Sequence, residues 1–104
     1  MRHEMLVGEG SPLVDAEVEC DRALAALHQP NGPAGAAVDA LVRVLLDLQM
    51  ALSQRDDGRV ARNRERLVAA RAAVAEFWPE PARRRERAAR RRLFAATDRA
   101  LLVL

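Results

Sequence analysis

Three short runs of helix-stopping residues cut this chain into four pieces: Pro30-Asn31-Gly32-Pro33, Asp56-Asp57-Gly58 and Pro79-Glu80-Pro81. Proline removes a backbone donor and pushes the residue before it out of the α region, while glycine, asparagine and aspartate favour turns and caps. Between these runs the apolar residues recur every three or four positions, the period of one helix face. Strands favour β-branched and aromatic residues, yet isoleucine and tyrosine are absent and aromatics make up only 3% of the sequence. Alanine, arginine and leucine, the commonest residues, are good helix formers. The spacing predicts helices over about 12–28, 34–54, 58–78 and 81–104, preceded by a flexible tail over 1–10. Short connections between helices of similar length favour antiparallel neighbours. The predicted fold class is therefore all-α, an antiparallel up-down bundle of about four helices forming a single domain over 11–104.

Each piece carries its own signals. Ser11 before Pro12 is a good N-cap and first-turn pair, with Asp15 placed to favour the helix dipole. The first apolar stripe is Leu13, Ala16, Cys20, Ala23, Leu24 and Leu27. The second segment has one row at Val38, Leu41, Leu45, Leu48 and Leu52, and another beside it at Val42, Leu46 and Met50. So wide an apolar arc marks its helix as the most buried. Its polar strip is Asp39, Arg43, Asp47 and Gln54. The third stripe runs Val60, Asn63, Leu67, Ala70, Val74 and Phe77, joined by Trp78, with Arg59, Arg62, Glu65 and Arg66 facing out. Asn63 interrupts it: either a polar core residue fixes helix register, or the helix buries its face only after this point. The fourth segment is expected to begin at Pro81, with seven arginines between positions 83 and 92 and a mainly apolar end over 93–104.

The chain has 17 arginines and no lysine, and a formal net charge of +2. Arginine in place of lysine, with abundant alanine, fits a GC-rich bacterial coding bias and says nothing of function. The charge is uneven: −6 over residues 1–57 and +8 over 58–104. Unlike halves attract each other or partners of opposite sign. Cys20 is the only cysteine, so no disulfide forms within the chain. No stretch reaches the roughly 18 apolar residues of a membrane span, and the first residues lack a secretory apolar core. A cytoplasmic protein without membrane contact is expected.

The arginine block is the strongest candidate site. Arg83, Arg84, Arg87, Arg90 and Arg91 are the residues to track a phosphate backbone or an acidic partner. No helix-turn-helix signature, zinc-ligand pattern or interleaved aromatics accompany them. The structural alternative is neutralisation by Asp15, Glu17, Glu19 and Asp21 of the first helix, or of a second subunit. Val14, Val18 and Ala25 form a second patch on the first helix. With Trp78, Leu101, Leu102 and Leu104, Val14 and Val18 make the candidate hydrophobic interface. Phe77 and Trp78 can anchor a partner, or together plug the end of the core.

Glu17, Asp21 and His28 are metal-ligating types, but His28 lies about 10 Å beyond Asp21 along a helix, too far to share one ion. Cys20, in the apolar stripe with acids nearby, reads as a buried small hydrophobe rather than a nucleophile. No glycine-rich phosphate loop and no catalytic triad pattern is present. The expectation is a non-catalytic helical protein–protein interaction module (an adaptor, chaperone-like or regulatory domain) that forms a homodimer or docks a helical partner, with no cofactor and no metal. The alternatives are a DNA- or RNA-binding protein using the arginine block, and a small enzyme or anion-binding protein with an arginine-lined pocket.

Overall fold

The computed structural model describes residues 11–104; the tail expected over 1–10 lies outside the described residues. It has four helices: α1 (Pro12–Ala26), α2 (Pro33–Ser53), α3 (Asp57–Phe77) and α4 (Arg84–Val103). They form an all-α, up-down bundle with no strand among the described residues.

The caps explain most of the boundaries. The Ser11 hydroxyl accepts from the backbone N–H groups of Leu13 (3.1 Å) and Val14 (3.3 Å), with Pro12 in the first turn. α1 ends two residues earlier than the spacing predicts, because Leu27 is already extended (φ −63°, ψ 133°) and turns its side chain into the core. α2 starts at Pro33 behind Gly32. Gly35, in its first turn, lies so close to the preceding loop that a Cβ there would sit 1.7 Å from the Pro30 carbonyl oxygen. Only glycine permits this approach.

The end of α2 closes with a double hydrogen bond. Asp56 N–H donates to the Ala51 carbonyl (3.0 Å) and Arg55 N–H to the Leu52 carbonyl (3.1 Å). This is a Schellman turn, and its left-handed residue is Arg55, at φ 54°. The Asp56 carboxylate then accepts from Arg59 N–H (3.1 Å), capping α3.

The predicted start of α4 at Pro81 is corrected to Arg84. Glu80 is no N-cap, and Pro79 and Pro81 each force the residue before them out of the α region. Trp78 sits at φ −126°, ψ 73° and Arg83 at φ −73°, ψ 127°. Arginines of α4 hold this linker: Arg87 donates to the Ala82 carbonyl and Arg90 to the Trp78 carbonyl (2.7 Å).

α1 packs on α2 and, more closely, on α4; α2 packs most extensively on α3; the α3–α4 seam is the thinnest. α2 contributes nine buried residues, among them Leu41, Leu45 and Leu48, as its wide apolar arc implies. The buried faces of α1 and α4, which pack closely, are rich in small side chains, Ala16, Cys20 and Ala23 on one and Ala89, Ala96 and Ala100 on the other, beside Leu13 and Leu93. Small residues let two backbones approach closely, and dispersion over the close seam replaces bulk.

Candidate interaction surfaces

The polar residue inside the α2–α3 interface is bonded rather than stranded. Asn63 is 1% exposed, and its amide donates to Asp47 of α2. Val60, a turn earlier, is already buried, so the reading in which α3 buries its face only after Asn63 is corrected. Arg59, expected to face out, is half-buried and donates to both carboxylate oxygens of Asp47. Arg66 donates to the Asn63 carbonyl oxygen at 2.9 Å and lies 4.0 Å from Asp47. Hydrogen bonds from Arg59 and then Asn63 hold the Asp47 carboxyl below its ordinary range, and the same pairing raises Arg59. Asp47 was legible as polar; its partner across the interface was not.

The arginine block divides by partner. Arg92 lies 3.5 Å from Glu19 and is the one member of the block paired with a carboxylate among the described residues. Asp15 and Asp21 are exposed and reach no arginine of α4, while Glu17 accepts from Gln49 of α2 (2.9 Å). Neutralisation by α1 therefore holds for Arg92 alone. Arg87 and Arg90 are partly buried and tied to the linker carbonyls. Arg83, Arg84, Arg85 and Arg91 are exposed.

At the thin α3–α4 seam, charge and aromatic faces replace aliphatic packing. Arg71 makes a two-point bond to Asp98 (2.6 and 3.1 Å). The guanidinium groups of Arg71 and Arg90 each lie 4.6 Å from the Phe94 ring centre. Both gain from the ring's negative face.

The predicted hydrophobic interface is redistributed. Trp78 is 3% exposed, which removes it as a surface anchor; its backbone leaves helical geometry before Pro79 and carries the indole inward. Phe77, placed in the core stripe by its spacing, is instead 50% exposed, so the pair does not plug the core together. Leu101 and Leu104 pack partly against the core, whereas Leu102 is exposed.

On the other side of the molecule, Val18 of α1 and Leu46 and Met50 of α2 are each about half exposed, with Val14 and Val42 partly so. The Glu17–Gln49 bond ties α1 to α2 here, while the Met50 sulfur, on the α3 side of α2, accepts from Arg59 (3.6 Å). Asp15 and Arg22 of α1 and Asp39 and Arg43 of α2 are also exposed.

Cys20 is buried, and burial, then the neighbouring charges of Asp21, Glu17, Glu19 and Asp39, push its thiol up to about 12. Among the described residues no three candidate metal ligands come together, and no helix is long and apolar enough to cross a membrane. No family model, curated protein or solved structure matches this chain.

Proposed function

We propose that this protein is a non-catalytic helical interaction module that self-associates through the outer face of α1 and α2. The observation that carries this reading is the set of apolar side chains that α1 and α2 leave in water, Val18, Leu46 and Met50, with Val14 and Val42 partly exposed. Large apolar side chains left in water on two neighbouring helices suit a contact surface. A second copy is the occupant that suits it, because both signs of charge are exposed on the same two helices: Asp15 and Asp39 with Arg22 and Arg43. A two-fold interface needs such a self-complementary patch. Light scattering on the purified protein at tens of micromolar tests it. The expected result is a dimer that a Leu46→Glu, Met50→Glu double variant converts to a folded monomer. A wild-type protein that stays strictly monomeric overturns the proposal.

A second reading rests on the exposed, unpaired Arg84, Arg85 and Arg91 at the start of α4, with Arg83 before them. Such a row suits a phosphate backbone, whose affinity would fall steeply with salt. Failure to bind both duplex DNA and single-stranded RNA at about 50 mM salt removes this reading.

A further inference from the structure

One end of the bundle holds a carboxylate that meets solvent but no protein partner among the described residues. The Glu86 side chain, in the first turn of α4, is 8% exposed. It makes no hydrogen bond or ion pair with any described residue. The arginines near it in sequence are engaged elsewhere or solvated: Arg87 on the Ala82 carbonyl, Arg90 on the Trp78 carbonyl and the Phe94 ring, and Arg83, Arg84 and Arg85 in water. The dipoles at the start of α4 favour a carboxylate there but supply it no bonded donor. With no protein donor on it, this carboxylate is free to accept from a ligand.

Glu86 faces a cavity of about 260 Å³. Leu27, His28 and Pro33 form one wall, where the α1–α2 loop turns; Phe77 and Trp78 form another. Gly35 makes that wall possible, since it lets the start of α2 close against Pro30. Trp78 is 3% exposed at the same place, so its indole forms an apolar wall; its N–H, a donor, finds no acceptor among the described residues and plays no part in holding a cation. Phe77 is half exposed at the same place, although its helix spacing would put it in the core. An apolar hollow with a few converging polar groups is the usual form of a small-ligand site; this volume falls just below the usual range of about 300–1,000 Å³, so only a small ligand fits.

We propose that this cavity binds a small organic cation, a protonated amine on an apolar or aromatic body, with its ammonium group on the Glu86 carboxylate. The carboxylate supplies the counter-charge, and the faces of Phe77 and Trp78 suit a cation held against aromatic rings. The apolar body fills the space between Leu27, Pro33 and the indole. This site is separate from the α1–α2 strip and does not depend on self-association.

Trp78 is the only tryptophan, so its fluorescence reports on the cavity directly. The full-length protein is titrated with 2-phenylethylamine and, in parallel, with the uncharged 2-phenylethanol. The amine is expected to give a saturable change in emission, and the alcohol to bind at least about tenfold more weakly. Glu86→Gln keeps the shape and removes the charge; it is expected to weaken amine binding by a similar factor while circular dichroism stays helical. The proposal is overturned if the amine gives no saturable change, if the alcohol binds as well as the amine, or if a folded Glu86→Gln variant binds the amine as tightly as the wild type. Should Glu86→Gln fail to fold, the comparison of amine with alcohol on the wild-type protein still decides the matter.

Discussion

Asn63 of α3 donates its side-chain amide to Asp47 of α2 from a position 1% exposed, so the closest helix pair in the second half of the bundle is joined by a polar bond inside an apolar stripe. The bond specifies which turn of α3 lies against which turn of α2. Truncating Asp47 to alanine leaves the Asn63 amide buried without that acceptor. The expected loss for the stranded amide is about 1–3 kcal/mol, measured by urea denaturation. Asn63→Leu removes the buried amide itself and leaves Asp47 bonded to Arg59, so it is expected to cost less than Asp47→Ala. If Asp47→Ala unfolds at the wild-type urea concentration, the network has no stabilising role.

The same carboxylate gives a pH dependence whose sign follows from its environment. Arg59 and Asn63 bond its charged form, so the folded protein holds Asp47 below its ordinary range. Its contribution to stability is therefore complete above the unfolded value, near pH 4, and is lost as the pH falls toward the lower folded value. Urea midpoints of wild type and Asp47→Asn, compared from pH 7 down to pH 3, are expected to converge in acid. A difference that stays constant across this range contradicts the assignment.

Arg55 sits in the left-handed region at φ 54°, where the Schellman turn at the end of α2 calls for glycine. A side chain there costs about 1–2 kcal/mol, offset in part by the extra backbone entropy that glycine loses on folding. Arg55→Gly is expected to raise stability by up to about 1 kcal/mol, whereas Arg55→Ala, which keeps a Cβ, brings little of that gain. Thermal melting of the two variants separates conformational strain from loss of the charge.

Burial and four neighbouring acids push the Cys20 thiol up to about 12, and a neutral, enclosed thiol is a poor nucleophile. At pH 8 the folded protein is expected to resist a thiol-specific alkylating reagent, with modification following only in denaturant. Rapid labelling of the native protein would mean that the α1–α4 seam opens readily.

The architecture was open to reading because it follows from local rules. Ser11 and Pro12 announce α1, the Asp56-Asp57-Gly58 run separates α2 from α3, and the double row on α2 foretells its burial. The misreadings occur where the outcome depends on what lies across an interface. Phe77 and Trp78 are neighbours in sequence, and periodicity put Phe77 inside; the backbone departure at Trp78, imposed by Pro79, exchanges their places. Arginine spacing could not say that Arg87 and Arg90 serve the linker carbonyls while Arg92 meets Glu19. Glu86 gave no signal at all, because a first-turn glutamate among arginines looks like a solvated, dipole-compensating residue. Only the packing of the α1–α2 loop and the end of α3 around it lowers its exposure and sets it at a cavity.

Gly35 offers a test of how the α1–α2 loop supports that end of the bundle. A methyl group at this position would lie 1.7 Å from the Pro30 oxygen, and the obstacle is backbone rather than a flexible side-chain tip. Either the loop or the first turn of α2 must move. Gly35→Ala is therefore expected to destabilise the fold by about 1–3 kcal/mol despite the better helix propensity of alanine. Gly58→Ala is the control, since the nearest atom to a Cβ there is the flexible Arg62 side chain, 3.5 Å away. The loop residues Gln29, Gly32 and Pro33 share a cavity with Trp78, so the displacement should also shift the emission of the single tryptophan. A Gly35→Ala protein with wild-type stability and unchanged emission would mean that Pro30 is not held against α2.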